Sequence, residues 1–122
     1  MNSALRVDTA ETRGQTTALA LTGELDLNTA TDLYRAVKDA LSAYPTTILD
    51  LTGVTFCDSS GLNTLIRLRS RARAAGGRLV LAAPPRQMLR LLTVTGAGSS
   101  FPLYGSTAEA WQDISPTEPP PR

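Results

Sequence analysis

Histidine is absent from this 122-residue chain. That removes a Ser-His-Asp hydrolase, a histidine-ligated metal site and a histidine phosphorelay together, because each needs an imidazole. Cysteine occurs once, at Cys57, so no internal disulfide and no thiolate cluster can form. An excess of one charge is also missing: 12 Lys and Arg stand against 11 Asp and Glu, a net charge of +1. Direct nucleic-acid binding and membrane-surface binding usually require a basic excess, so neither is expected. No apolar run approaches the roughly 20 residues of a membrane span. No basic-then-apolar signal segment opens the chain. The expectation is a cytoplasmic protein with no metal and no cofactor.

A hydrophobic content of 42% describes an ordinary globular composition. A chain of this length folds as one domain and buries roughly two-thirds of its unfolded surface. The domain is expected over residues 1–114. Residues 115–122 contain four prolines and are expected to form a disordered tail.

In chain order, Ala4 to Asp8 alternates as a half-buried strand, and polar Thr9 to Gln15 reads as a hairpin loop. Thr16 to Thr22 is a second strand, antiparallel to the first, and Gly23 to Leu27 is a loop. Asn28 or Thr29 caps a helix whose apolar stripe is Ala30, Leu33, Val37, Ala40 and Leu41, and Pro45 ends that region. The run at 46–51 is β-branched and apolar, a buried strand. A second helix is expected over about 59–75, on Leu62, Leu65, Leu68, Ala72 and Ala75, closed by Gly76-Gly77. Arg78 to Ala83 is a fourth strand, and Pro85 opens a short helix with Met88, Leu89, Leu91 and Leu92 on its apolar side and Gly96 as its C-terminal cap. Phe101 to Tyr104 is an edge strand, and Ser106 to Glu109 is a capping box for a last helix through about Asp113. The pattern predicts an α/β fold with a mixed, mostly parallel sheet of four to five strands and about four helices.

The chain is organised around Val54 to Leu62, where a strand-side loop becomes a helix. Asp58 and Ser59 are preferred N-cap residue types. A helix N-terminus also tolerates a phosphate, through its partial positive charge and free N–H groups. A serine in that first turn can take on a charge of about −1.5 to −2 without breaking the fold. Gly61 keeps the first turn free of a side chain. In a parallel sheet, the loop holding Asp26 and the loop holding Asp58 and Ser59 leave adjacent strands at the same end, so the two meet in space.

Ile48-Leu49-Asp50-Leu51, Val54, Phe56 and Asp58 to Leu62 closely resemble the anti-sigma factor antagonists of the STAS domain family. Leu21 to Asp26 with Thr29-Ala30 resembles that family's upstream signature. Leu89, Leu91, Leu92, Thr95-Gly96, Phe101 to Tyr104 and Ala108 to Ala110 resemble its C-terminal pattern, so the likeness runs from about residue 5 to about residue 114. The resemblance implies that the unmodified protein binds an anti-sigma factor that is also a serine kinase, freeing a sigma factor. It implies phosphorylation at Ser59, with the ATP bound to the kinase, and reversal by a separate serine phosphatase. Ser60 is the competing acceptor, which the physics of the sequence alone does not separate from Ser59.

The partner-binding set is Asp26, Asp58, Ser59, Ser60, Gly61, Leu62 and Arg67. Plainer roles stand beside it: Asp26 as a turn residue, Asp58 as a cap, and the arginines at 67, 69, 71 and 73 as a solvated helix face. Arg67 and Arg71, one turn apart, are the better candidates to meet an acidic patch on a partner. Cys57 reads as a small buried hydrophobe, although a thiol near a helix N-terminus can be reactive. Two rival functions remain. One is a scaffold or accessory subunit of a signalling or transport assembly. The other is an enzyme with Ser59 as nucleophile, which would need Lys38, the only lysine, as its base.

Overall fold

A computed structural model of the chain describes residues 5–114. The proline-rich tail expected at 115–122 lies outside the described residues. The elements are β1 (Leu5–Arg13), β2 (Thr16–Leu25), α1 (Ala30–Ala43), β3 (Thr46–Cys57), α2 (Ser59–Ala74), β4 (Arg78–Ala82), α3 (Arg86–Thr95), a 3-10 turn at Ala97–Ser100, β5 (Leu103–Tyr104) and α4 (Thr107–Ile114). The five strands lie in the order β1-β2-β3-β4-β5. β1 is antiparallel to β2, and the other neighbours are parallel. This is the expected α/β architecture.

The three crossovers from β2 to β5 advance in one direction across the sheet. Right-handed crossovers of that kind stack their helices on one face. Accordingly Leu33 and Val37 of α1, Leu65 and Leu68 of α2, and Met88 and Leu92 of α3 share one buried core with Leu19, Leu21, Leu49, Leu51 and Leu81. The opposite face carries Ala18, Ile48, Val80 and Ala82, covered by Ala110 and Trp111 of α4. Strand alternation thus divides β4, with Leu79 and Leu81 on the first face and Val80 and Ala82 on the second.

Three strands outrun their expected bounds. β1 continues to Arg13 because it stays paired with β2 as far as Thr16, leaving only Gly14 and Gln15 as the turn. Both faces of that extension are wet, so its polar residues show no alternation. Thr12 Oγ1 lies 3.0 Å from Thr17 Oγ1, and the Arg13 guanidinium stacks 4.3 Å from the centre of the Trp111 ring. β2 runs through the expected loop to Leu25. β3 runs to Cys57 rather than ending near residue 51, because the β2–β3 ladder continues past two irregularities. Ala20 pairs with Asp50 and Thr22 with Gly53; Gly23 pairs with Val54 and Glu24 with Phe56. Each step inserts one extra residue into β3, which is a bulge. The core-facing residues of β3 are therefore Leu49, Leu51, Val54 and Cys57, spaced by two and then by three.

Helix ends follow local chemistry. Gly96 closes α3 in the left-handed conformation at φ 76°, as expected for a C-terminal glycine. The amide of Glu109 donates to Ser106 Oγ at 3.1 Å, the forward half of a capping box. The Glu109 carboxylate accepts from Gly105 N instead of Ser106 N. Thr29 is the N-cap residue of α1 but its hydroxyl makes no cap bond.

Candidate functional site

The last residue pairs of the β2–β3 ladder put the two signature loops side by side. Leu25 pairs with Cys57, and the amide of Asp58 donates to the Leu25 carbonyl at 3.0 Å. Asp26, the next residue after Leu25, therefore leaves the sheet next to Asp58. This is the juxtaposition that parallel geometry predicts.

Asp58 is the N-cap of α2. Its backbone is extended, and Oδ1 accepts from the amide of Gly61 at 3.0 Å. Ser59 is the first helical residue and is exposed, with no hydrogen bond to its hydroxyl among the described residues. Ser60 is half-buried. The two serines that sequence physics could not separate thus differ in access.

Asp26 holds its own loop. Its Oδ1 accepts from the amides of Asn28, at 2.9 Å, and Thr29, at 3.1 Å, which is an Asx turn. Thr29 Oγ1 donates to the Glu24 carbonyl at 2.8 Å and accepts from Asp26 N at 3.0 Å. The threonine therefore ties the loop back to β2 rather than capping α1 forward. Asp26 stays half-buried, with Oδ2 outside these bonds.

Two residues of the expected contact set, Gly61 and Leu62, are buried beneath the site. Leu62 is a core residue. Gly61 is buried, and a Cβ there would sit 2.3 Å from the Leu25 carbonyl oxygen. The glycine lets α2 press onto the end of β2; it does not open the surface. Both residues fit the point where the helix starts as the strand ends.

Cys57 is fully buried, and burial, followed by the charge of Asp58, pushes its thiol up to about 12. The low-pKa thiol that a helix N-terminus can produce is not formed here, because the side chain points into the core. Among the described residues no group of three or more His, Cys, Asp or Glu can hold a metal ion. No described helix is long and apolar enough to cross a membrane.

Arg67 stacks 4.7 Å from the centre of the Tyr34 ring and lines a shallow groove of about 280 Å³ between α1 and α2, with Thr31, Arg35 and Lys38. It lies two turns along α2 from Ser59, roughly 12 Å at 1.5 Å per residue. Arg71 does not line the groove. Lys38 belongs to this groove as well, two helical turns into α1.

Sequence reasoning missed Gln87. Its side-chain amide brackets the last residue of β3: Cys57 N donates to Oε1 at 2.9 Å and Nε2 donates to the Cys57 carbonyl at 2.7 Å. β4 pairs with β3 only as far as Asp50, so beyond that point Gln87 on α3 supplies the hydrogen bonds a neighbouring strand would. Nothing in the sequence marks a contact across 30 residues. Leu27, 75% exposed and next to Asp26 in the chain, and Phe56, 42% exposed and two residues before Asp58, were also overlooked as an apolar rim.

Comparison with known proteins agrees with this geometry. An anti-sigma factor antagonist from Mycobacterium paratuberculosis has a similar structure, with a TM-score of 0.81 and 23% identity, covering 91% of this chain and 94% of that one. The anti-sigma factor antagonist SpoIIAA in its unphosphorylated form matches with a TM-score of 0.75 and 21% identity, over 90% of this chain and 96% of its own. The Bacillus SpoIIAA in its phosphorylated form matches at 0.70 and 22%, over 89% and 99%. SLC26A9 matches at 0.75 and 16% identity, over 84% of this chain but 20% of that one. At these identities the likeness establishes the fold. The family described as "Mlab, STAS domain" matches residues 9–103, most of the chain, so this protein belongs to the STAS domain family.

Proposed function

We propose that this protein is an anti-sigma factor antagonist whose binding is switched off by phosphorylation of Ser59. The unphosphorylated form binds an anti-sigma factor with serine kinase activity and thereby releases a sigma factor. A serine phosphatase restores that form. The observation that carries this reading is the exposed, unbonded hydroxyl of Ser59 on the first residue of α2, beside the Asp26 loop. SpoIIAA, which shares the fold, exists in phosphorylated and unphosphorylated forms.

The physical logic is local. A phosphate on Ser59 is favoured by the amino end of α2 and disfavoured by the neighbouring Asp58 carboxylate. The fold therefore accepts the mark, while the surface presented to a partner gains further negative charge. In a packed interface an unpaired phosphate costs several kcal/mol, and each ~1.4 kcal/mol is a tenfold loss of affinity. Asp26, Asp58, Ser59 and Ser60 form the proposed contact surface, with the Leu27–Phe56 rim beside it and Arg67 reaching an acidic group of the partner. Gly61 and Leu62 support it from below. The protein acts as a binding module and supplies no catalytic group; the ATP belongs to the partner.

Mass spectrometry of the protein recovered from cells tests the site. The account expects one phosphate, on Ser59, and none on a Ser59→Ala variant. Phosphate on Ser60 with Ser59 unmodified refutes the assignment.

A second reading, as a scaffold or accessory subunit, draws on SLC26A9, in which a domain of this fold makes up a minor part of a long chain. Concentration-dependent high-order assembly in light scattering would favour it over the switch.

A further inference from the structure

The carboxyl end of α2 is closed by its own backbone. Gly76, at φ 81°, donates its amide to the Arg73 carbonyl at 3.0 Å, and Gly77 donates to the Ala72 carbonyl at 2.7 Å. This is a Schellman closure, and it takes up carbonyls that basic side chains near a helix end otherwise satisfy. Three arginines nonetheless gather beside it. Arg69, Arg73 and Arg78 line one recess of about 170 Å³, together with Gly77, Leu79, Ser100 and Pro102.

The recess gathers positive charge, although Arg78 also acts on Tyr104, the hydrogen-bond partner of Asp113. No carboxylate lines it. The ion pairs among the described residues are Arg6 with Asp8 and Arg13 with Glu11, so none of the three arginines pairs with a described carboxylate. None donates to a helix carbonyl either. Arg69 Nε is buried without a hydrogen-bond partner, and its guanidinium sits 5.7 Å from the centre of the Phe101 ring. Arg69 and Arg73 are one turn apart, an arrangement in which like charges destabilise a helix. The helix dipole accounts for basic residues in the last turn, Arg71 and Arg73. It does not account for Arg69, one turn earlier, or for Arg78, which opens β4.

We propose that this recess is a binding site for a phosphoryl group, carried by inorganic phosphate or by a small phosphomonoester. Guanidinium groups match phosphate oxygens with paired N–H donors, and Ser100 adds a hydroxyl at the rim. The volume corresponds to a handful of waters at ~30 Å³ each, which suits a phosphoryl group and excludes a whole nucleotide. Gly77 contributes no side chain to the wall. The site lies at the opposite end of α2 from Ser59, roughly 22 Å along a helix of 16 residues. It is independent of the switch proposed above.

The test is a titration of the ¹⁵N-labelled protein, first with inorganic phosphate and then with glycerol 3-phosphate, at constant ionic strength set by chloride. Amide shifts and Tm are both read. The expected result is saturable shifts confined to residues 69–79 and 98–102. Tm rises by roughly 3–6 °C at about tenfold excess over Kd. Arg73→Gln/Arg78→Gln abolishes both effects, Arg69→Lys weakens them, and Arg35→Gln on α1 leaves them intact. This differential matters because phosphate also stabilises proteins nonspecifically by exclusion from their surface. Saturation by phosphate alone identifies the free anion as ligand; saturation by the ester identifies the monoester. A Tm rise that survives the double substitution, shifts centred on residues 58–62, or no saturation with either probe overturns the proposal.

Discussion

Gln87→Met is the most searching perturbation of the site's scaffold. Methionine keeps the length and flexibility of the side chain but removes both hydrogen bonds to the Cys57 backbone, at 2.9 and 2.7 Å. Cys57 is the last residue of β3, and β4 no longer pairs there. Both its N–H and its C=O would be left without partners in a half-buried position. Leaving a buried polar group unsatisfied costs ~1–3 kcal/mol, so the pair is worth roughly 2–4 kcal/mol. Against a typical total of ~5–15 kcal/mol this is a large fraction, and it corresponds to a fall in Tm on the order of 10 °C. Urea denaturation measures the stability change, and hydrogen exchange reads the Cys57 amide directly. The account expects that amide to lose protection while β4, which pairs with β3 only as far as Asp50, keeps its own. A change below about 0.5 kcal/mol with unchanged Cys57 exchange would mean water replaces the glutamine freely, and the bracketing role would be refuted.

Other outcomes follow from the same geometry. Gly61→Ala gains ~1 kcal/mol of helix propensity, yet its Cβ would lie 2.3 Å from the Leu25 carbonyl oxygen. The clash wins, and chemical denaturation should show a net loss of ~1–3 kcal/mol; a more stable variant contradicts the close approach. Leu65→Ala, at a fully buried position of α2, should cost ~3–5 kcal/mol in the same measurement. Cys57, with its thiol held up to about 12, should resist iodoacetamide at pH 8 until the protein unfolds. Its folded pKa lies above the ordinary value of 9.0, so its contribution is intact below about pH 9 and is lost as pH rises towards 12. The decline should approach ~1.4 kcal/mol per pH unit in that window, and Cys57→Ala should flatten it.

The sequence carried the strands and helices that have one wet and one dry face. Leu33 and Val37 of α1 and Leu65, Leu68 and Ala72 of α2 recur at helical spacing because each helix packs one stripe on the sheet. The pairing of the Asp26 and Asp58 loops was legible too, since parallel strands bring their carboxyl ends together. What periodicity could not show was the length of β3. Its two bulges change the spacing of core residues from two to three after Leu51, so Val54 and Cys57 look out of phase. The far half of β1 was hidden for another reason: both faces are exposed, and only pairing with β2 makes it a strand. At the candidate site, the capping role of Asp58 and its nearness to the Asp26 loop were readable from residue type and topology, whereas the choice of Ser59 over Ser60 rested on the family resemblance. Gln87 was not, because its role depends on where α3 lands rather than on any local pattern. Leu62 stood both in the apolar stripe of α2 and in the expected contact set, and the structure buries it in the core.

The most direct test of the switch uses three baits in a pull-down from native lysate: wild type, Ser59→Ala and Ser59→Asp, with retained proteins identified by mass spectrometry. The account predicts that a kinase-like anti-sigma factor is retained by wild type and by Ser59→Ala and is lost with Ser59→Asp. Retention of the same partners by all three baits would contradict it and return Ser59 to the plain role of the first residue in a helix.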